Sequence, residues 1–340
     1  MTHIYAYKNT EEEVMRSSSG GAFIRLCREF EEIHGKGNVA FYGVVLDENM
    51  EVKHMRVNSA EQCHIFQGSK YVKSDLLNCR QEVMDDLTDG KWVLFSGTPC
   101  QVYSVINYFS KKNLRDRLFT IDIICHGTAK KEVWESYISW IEKMYGGKLI
   151  SYSFRYKPEG WKAYPGYAKF DNGIELINTP ETSVFSKLHL RAYSIEKGCF
   201  KCPFATQKRN SDCTLGDYWG IENTDAVVAR RETGVSLILA NSEQGQILAQ
   251  GICGKTEKTG DYIIETFDHK YLDYQHNLKK PTEIPNDYDM FWNDYANASF
   301  DDIISKYLHW GIKYKIQFKI KKLVRKTPLI SIYRKVRKRV

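Results

Sequence analysis

Apolar residues in this chain fall into short runs divided by polar turns, and the runs carry two different periods. NVAFYGVVLD and EVKHMRV are β-rich stretches with Asp47, Glu48 and Asn49 between them, a pattern that predicts a hairpin. Phe23, Leu26, Cys27 and Phe30 recur at helical spacing behind the small residues Ser17 to Gly21, which predicts a helix with a buried face and Cys27 in the core. Trp92 to Phe95 reads as a buried strand, Ser96 to Cys100 as a turn, and Gln101 to Phe109 as a helix. The same order recurs with Leu118 to Ile124 as strand, Cys125, His126 and Gly127 at the turn, and a helix starting near Lys131. ISYSFRYKPEGW alternates as a strand does, and TLGDYWGI and GVSLILAN add two short buried strands. Strands alternating with helices predict a mixed α/β fold, a mixed sheet with flanking helices and cofactors at the carboxyl ends of strands, plus a basic C-terminal helical tail. The expected division is an N-terminal region (1–88), a core α/β region (89–255), a helical or irregular extension (256–312) and the tail (313–340).

Length changes the picture little: 340 residues, 42% of them hydrophobic, suffice for a sizeable core. No apolar run approaches the roughly 18 residues of a membrane span. The nine cysteines are scattered and odd in number, and the N-terminus is polar and acidic rather than a secretory signal, so a reducing, cytoplasmic setting is expected.

Charge changes it more. The net +7 hides an asymmetry, because Lys313 to Val340 holds twelve of the 49 Lys and Arg and no acid, leaving 37 basic against 42 acidic side chains in the body. Ile316, Ile320, Leu323 and Val324 lie at helical spacing among those lysines, and Pro328 divides the tail in two. A basic amphipathic helix suits an anionic membrane surface and a peripheral location. Nucleic acid is not expected, since the body lacks a basic stripe with interleaved aromatics.

The candidate chemistry centres on Cys199 and Cys202. A C-x-x-C spacing lets a tight turn aim two sulfurs at one metal, and Pro203 directly after it is a habit of ferredoxin-like cysteine runs. The pair alone fits an iron–sulfur half-site, a zinc half-site, a redox dithiol or structural thiols. The polar loop that follows, Thr206 to Asn210, disfavours the dithiol. Cys100 and Cys125 occupy equivalent turns after two strands, and neighbouring parallel strands would bring those turns to one edge, where they could supply two further ligands. Ser17 to Gly21 before a helix, and the small, basic Gln67 to Ser74, suit contact with an anion.

These residues together resemble the β subunit family of coenzyme F420 hydrogenases and dehydrogenases, in the short form without an N-terminal ferredoxin module. The likeness rests on SSSGG (17–21), GSKY (68–71), GTPCQ (97–101), ICHG (124–127), FRYKPEGW (154–161), CFKC (199–202) and SDCTLGDYWGI (211–221), in order, and spans about residues 14 to 245. The resemblance implies an iron–sulfur flavoprotein oxidoreductase with FAD and one [4Fe–4S] cluster. It assigns the cluster to Cys100, Cys125, Cys199 and Cys202, and leaves Cys213 in the core. It lays the flavin and its phosphates along Ser18, Ser19, Gly20, Gly21, Gly68, Ser69, Lys70 and Tyr71, with Gly97, Thr98 and Gln101. His126 and Lys70 are the catalytic candidates, the first as a donor to flavin or substrate, the second, with Lys73 and Arg155, as a holder of an anionic substrate. Asp217, Tyr218 and Trp219 are expected to pack against the cluster loop. The implied partner is a redox carrier: F420, a ferredoxin or another electron donor protein. Short proteins similar to this one are associated with surface polysaccharide biosynthesis. A rival reading keeps the four cysteines on Zn²⁺ in a non-catalytic scaffold whose tail recruits a membrane-surface complex.

Overall fold

The structure is a computed structural model describing residues 2–325 except 77, 162–164, 225–227, 229–230, 254–260 and 268. Its frame is an eight-stranded sheet of β1 (His3–Lys8), β2 (Val39–Leu46), β3 (Val52–Val57), β4 (Trp92–Gly97), β5 (Leu118–Ile123), β9 (Cys213–Asp217), β10 (Ser236–Ala240) and β11 (Tyr262–Thr266). Across the sheet the order is β11-β1-β10-β9-β5-β4-β2-β3. The four middle strands, β9, β5, β4 and β2, run parallel, and antiparallel strands close both sides. VAFYGVVL and LFTIDI are buried nearly end to end, as parallel strands covered on both faces must be. The hairpin forms where the pattern predicts it, with Phe41 opposite Val57 and Leu46 opposite Val52.

Alternate residues of these strands pack on the two faces of the sheet. After β1, the short α1 (Glu11–Arg16) leads through Ser17 to Gly21 into α2 (Ala22–His34), and Phe41, Leu94 and Phe119 pack under α2 and α7 (Glu243–Cys253). Tyr42, Val93 and Phe95 pack under α3 (Cys79–Thr88) and α4 (Pro99–Ser110). A second lobe pairs the small antiparallel sheet β6 (Leu149–Ser153), β7 (Tyr167–Phe170), β8 (Glu175–Ile177) with α5 (Lys131–Tyr145), α6 (Val184–Leu190), α8 (Tyr288–Asn297) and α9 (Phe300–Leu308). Its centre is Trp134, whose ring meets Tyr137, Tyr152, Phe154 and Phe185 at 4.9 to 5.6 Å and whose Nε1 donates to the carbonyl of Met50 at 2.7 Å.

Strands from all three segments up to residue 312 share the large sheet. No helix among the described residues is long and apolar enough to cross a membrane. The first half of the basic tail is α10 (Ile312–Arg325); residues 326–340, including Pro328 and the second tail segment, lie outside the described residues. Tyr314 and Phe318 turn inward beneath Lys187, Lys315 pairs with Glu181 at 3.3 Å, and Lys322 donates to the carbonyl of Asn178 at 2.9 Å. The opposite face is left outward, with Ile312, Ile316, Ile320 and Leu323 exposed by 81%, 52%, 54% and 67%.

Candidate functional site

The parallel register sets the site. Gly97 at the end of β4 lies opposite Asp122 near the end of β5, and Ile123 lies opposite Leu215 of β9, so three strands release their loops at one edge. After β4 the chain turns at Thr98 into α4, placing Cys100 in the exposed first turn of that helix. The turn is a capping box with Gln101, whose Oε1 accepts from the amide and hydroxyl of Thr98 at 3.1 and 2.9 Å. Gln101 Nε2 donates to Ser74 Oγ at 2.9 Å, that hydroxyl meets His54 Nδ1 at 3.1 Å, and His54 Nε2 reaches the carbonyl of Ser96 at 3.1 Å. With the hydroxyl donating to Nδ1, every group in this chain is satisfied. Burial pushes the His54 pKa down to about 4, so the imidazole stays neutral. The network fixes the turn that carries Cys100.

After β5, Ile124 continues the ladder to Leu215, and the chain bends at Cys125, whose sulfur accepts from the amide of Gly127 at 3.4 Å. Residue 127 has to be glycine. Its φ is +122°, and a Cβ there would stand 2.7 Å from Ile195 and 3.4 Å from the Cβ of Cys199. Glu196 donates its amide to Thr128, and Ala129 bridges to Ile195, so the strand-like segment before Cys199 lies along the Cys125 loop. Cys199 and Cys202 follow around the short turn Lys197–Lys201. Arg209 then pins the loop, donating to the carbonyls of Phe204 at 2.8 Å and Ile123 at 3.1 Å while pairing with buried Asp122 at 2.8 Å.

The structure thus brings Cys100, Cys125, Cys199 and Cys202 into one electrostatic group. Burial pushes the Cys125 thiol up to about 12, and the sulfurs of Cys199, Cys100 and Cys202 add to the rise. Burial also raises Cys199, against the pull of hydrogen bonds from Thr128. Cys213 is elsewhere, its sulfur in the sheet core 3.8 Å from the carbonyl of Gly245. Four thiols within electrostatic reach of Cys125 and Cys199, with the Gly127 amide and Thr128 donating to those two sulfurs, suit a multi-iron centre in donor type and number. Among the described residues, no three or more His, Cys, Asp or Glu side chains stand close enough together to hold a metal ion, so these four thiols would have to draw in around one.

The two small-residue stretches also meet. Ser69 donates its amide to Ser18 Oγ at 2.7 Å, and Gln67 Nε2 donates to Ser17 Oγ at 2.9 Å. Segment 67–74 runs from there to the thiols, pairing with Ala129 through Tyr71 and Lys73 and ending at Ser74 beside Gln101. Gly68, Ser69 and Tyr71 therefore lie on a path from Ser18 to the Cys125 loop. Lys70 closes the preceding short helical turn, donating to the carbonyls of Phe66 at 2.9 Å and Gln67 at 2.8 Å. Burial pushes its pKa down to about 7, while those carbonyls favour the ammonium form. His126 has a buried Nδ1 without a hydrogen-bond partner, and its ring lies 5.4 Å from that of His189. His189 is 1% exposed, stacks on Tyr71 at 4.9 Å, and has no partner on either nitrogen. Desolvation lowers the pKa of both, that of His189 to about 3.

Arg155 is committed to Asp217, at 2.6 Å, and Trp161 Nε1 donates to the same carboxylate at 2.7 Å. Trp219 stacks on Trp161 at 4.7 Å and Tyr218 is buried, so Asp217 to Trp219 form a packed brace. Sequence patterning missed His54, Ser74, His189 and Arg209. His54, Ser74 and Arg209 lie within segments already singled out, whereas nothing in the sequence pointed to His189.

Comparison with known proteins bears on the family and the fold. Residues 90–259 match the family described as the C terminus of the coenzyme F420 hydrogenase/dehydrogenase beta subunit. Among solved structures the fold is similar to a chain of the F420-reducing [NiFe] hydrogenase complex from Methanosarcina barkeri, studied by xenon derivatization. The two share 14% sequence identity at a TM-score of 0.51, over 87% of this chain and 92% of that one. No curated protein matches the sequence. With half its length matched, the chain belongs to the coenzyme F420 hydrogenase/dehydrogenase beta subunit family.

Proposed function

We propose that this chain is an iron–sulfur flavoprotein oxidoreductase in which Cys100, Cys125, Cys199 and Cys202 hold a [4Fe–4S] cluster and the stretches Ser17–Gly21 and Gly68–Tyr71, with Gly97, Thr98 and Gln101, hold FAD. When bound, FAD exchanges a hydride with a two-electron partner and the cluster passes electrons singly to or from a redox protein. The observation that carries the reading is that Cys100, Cys199 and Cys202 lie within electrostatic reach of Cys125, on three loops at the sheet edge to which the segment from Ser18 leads. The chain's own residues have separable tasks. Gly127 and Thr128 direct hydrogen bonds at the sulfurs, Gln101 and Arg209 fix the two outer loops, and His126 offers Nδ1 to flavin or substrate. Lys70 holds the flavin loop in shape and places a cation beside it for an anionic partner.

The similar chain belongs to an F420-reducing hydrogenase complex, which favours F420 as the two-electron partner and a separate protein as the other. Adding reduced F420 anaerobically to the flavin-loaded protein is expected to bleach the visible flavin absorbance. Bleaching by dithionite but not by reduced F420 would remove F420 and keep the flavoprotein. A chain that takes up no flavin would remove the reading.

We further propose that α10 seats the protein on an anionic membrane surface, a setting suited to surface polysaccharide biosynthesis. Its outward isoleucines alternate with exposed Lys313, Lys319 and Lys321, while its inner face is already occupied. Burying an isoleucine is worth about 2 kcal/mol. Ile316→Asp with Ile320→Asp should therefore weaken co-sedimentation with phosphatidylserine vesicles at least ~tenfold. Unchanged sedimentation would refute this role.

A further inference from the structure

Lys157 begins the short helical turn Lys157–Glu159 and is only 6% exposed. Its Nζ donates to the carbonyl of Ser19, inside the Ser17–Gly21 stretch. Gly234, with φ +117°, leaves it room: a Cβ there would stand 3.0 Å from Nζ. The charges that act on it most are two cations, Arg155 and Lys8, and two carboxylates, Asp217 and Glu11. Both carboxylates already face a cation, Asp217 pairing with Arg155 at 2.6 Å and Glu11 with Lys8 at 3.7 Å. One positive charge is left over in a buried place, and burial followed by Arg155 pushes the Lys157 pKa down to about 7.

A buried surplus cation is costly unless a ligand supplies the opposite charge. Next to Lys157 the chain opens α2. The residue before that helix is Gly21 at φ +79°, which has no side chain to cap the first turn; the Ala22 amide reaches Ser236 Oγ at 3.4 Å, and that turn contains no acid. The first-turn amides beyond Ala22, at the positive end of this thirteen-residue helix, add to the same field. Gly20 holds the turn against the sheet, since a Cβ there would lie 2.2 Å from the carbonyl oxygen of Tyr7 and 2.5 Å from the amide nitrogen of Ser236.

We infer that Lys157 and the opening turn of α2 form a seat for a phosphoryl group, and, resting on the flavin reading above, that this group is the pyrophosphate of FAD. The ammonium supplies the compensating charge and the amides supply directed donors. Riboflavin, which lacks phosphate, would not use the seat.

The test compares wild type, Lys157→Met and Lys157→Arg as full-length, flavin-depleted protein, titrated with FAD, riboflavin and inorganic pyrophosphate. Lys157→Met is expected to weaken FAD binding about tenfold to a hundredfold, the worth of one charge-assisted hydrogen bond, and to leave riboflavin binding unchanged. Lys157→Arg should restore most of the FAD affinity. Because the substitution removes a buried charge, Lys157→Met should also raise the melting temperature of the unliganded protein, a gain that a merely structural lysine would not give. Equal losses for FAD and riboflavin, or no loss for FAD, would overturn the inference. If wild type binds pyrophosphate but no flavin, and Lys157→Met abolishes that binding, the seat stands and the flavin reading falls. If wild type binds neither, the seat falls too.

Discussion

Cys199→Ser is expected to yield a protein without cluster absorbance, its iron at background after anaerobic purification. Cys199 is the sulfur with most of its setting already built. Thr128 donates to it, the carbonyl of Glu196 accepts from its amide at 2.9 Å, and Gly127 lets the Cys125 loop approach its Cβ. A serine hydroxyl keeps nearly the same shape but is a far weaker ligand for iron than a thiolate. Loss of colour would therefore report ligation rather than misfolding, and unfolding midpoints of metal-free samples would separate the two. The matched control is Cys213→Ser, which alters a core thiol away from the group and should leave the spectrum intact. Retained colour in Cys199→Ser, or lost colour in Cys213→Ser, would show that the ligand set is wrong.

Arg209→Met is expected to cost about 3–5 kcal/mol of stability, the usual penalty for leaving a buried carboxylate without its cation. The side chains of Arg209 and Asp122 are 2% and 3% exposed, and burial already raises the Asp122 pKa despite the arginine. Without the arginine that rise is larger, so Asp122 carries a net penalty once ionised. The deficit should then grow as pH rises through the Asp122 pKa and narrow towards acid. Denaturant unfolding at two pH values measures this. The same side chain ties Phe204 to the end of β5, so cluster retention should fall as well. Adding Asp122→Asn should recover much of the stability and little of the cluster. Recovery of both together would mean that Arg209 contributes through charge alone.

The parts of the fold legible in the sequence are those whose signal is local. The β4 and β5 turns announce themselves by a buried apolar run broken by Gly-Thr-Pro-Cys or Cys-His-Gly, and the parallel register then places Cys100 and Cys125 at one edge. The 39–57 hairpin and the C-x-x-C turn are equally local. What stayed hidden depends on partners far along the chain. β1 has polar residues at both ends and tyrosines within, and it is a strand because β10 and β11, more than 200 residues later, flank it. Tyr7 is tolerable in that core only because its hydroxyl donates to Asp261 at 2.6 Å. The brace from Arg155 to Asp217 and the link from Ser74 through His54 likewise join residues whose own neighbours give no hint of the pairing. Lys157 sits in a Lys-Pro-Glu stretch that reads as solvated surface, and only the fold shows it buried against Ser19.

The most direct test of the central claim is to purify the chain without oxygen and measure iron, zinc and flavin on the same sample as its absorption spectrum. The account predicts a brown protein with the iron of one [4Fe–4S] cluster, one FAD and no stoichiometric zinc. A colourless protein with tightly bound zinc and no flavin would contradict it, and would leave the four cysteines as staples of a scaffold.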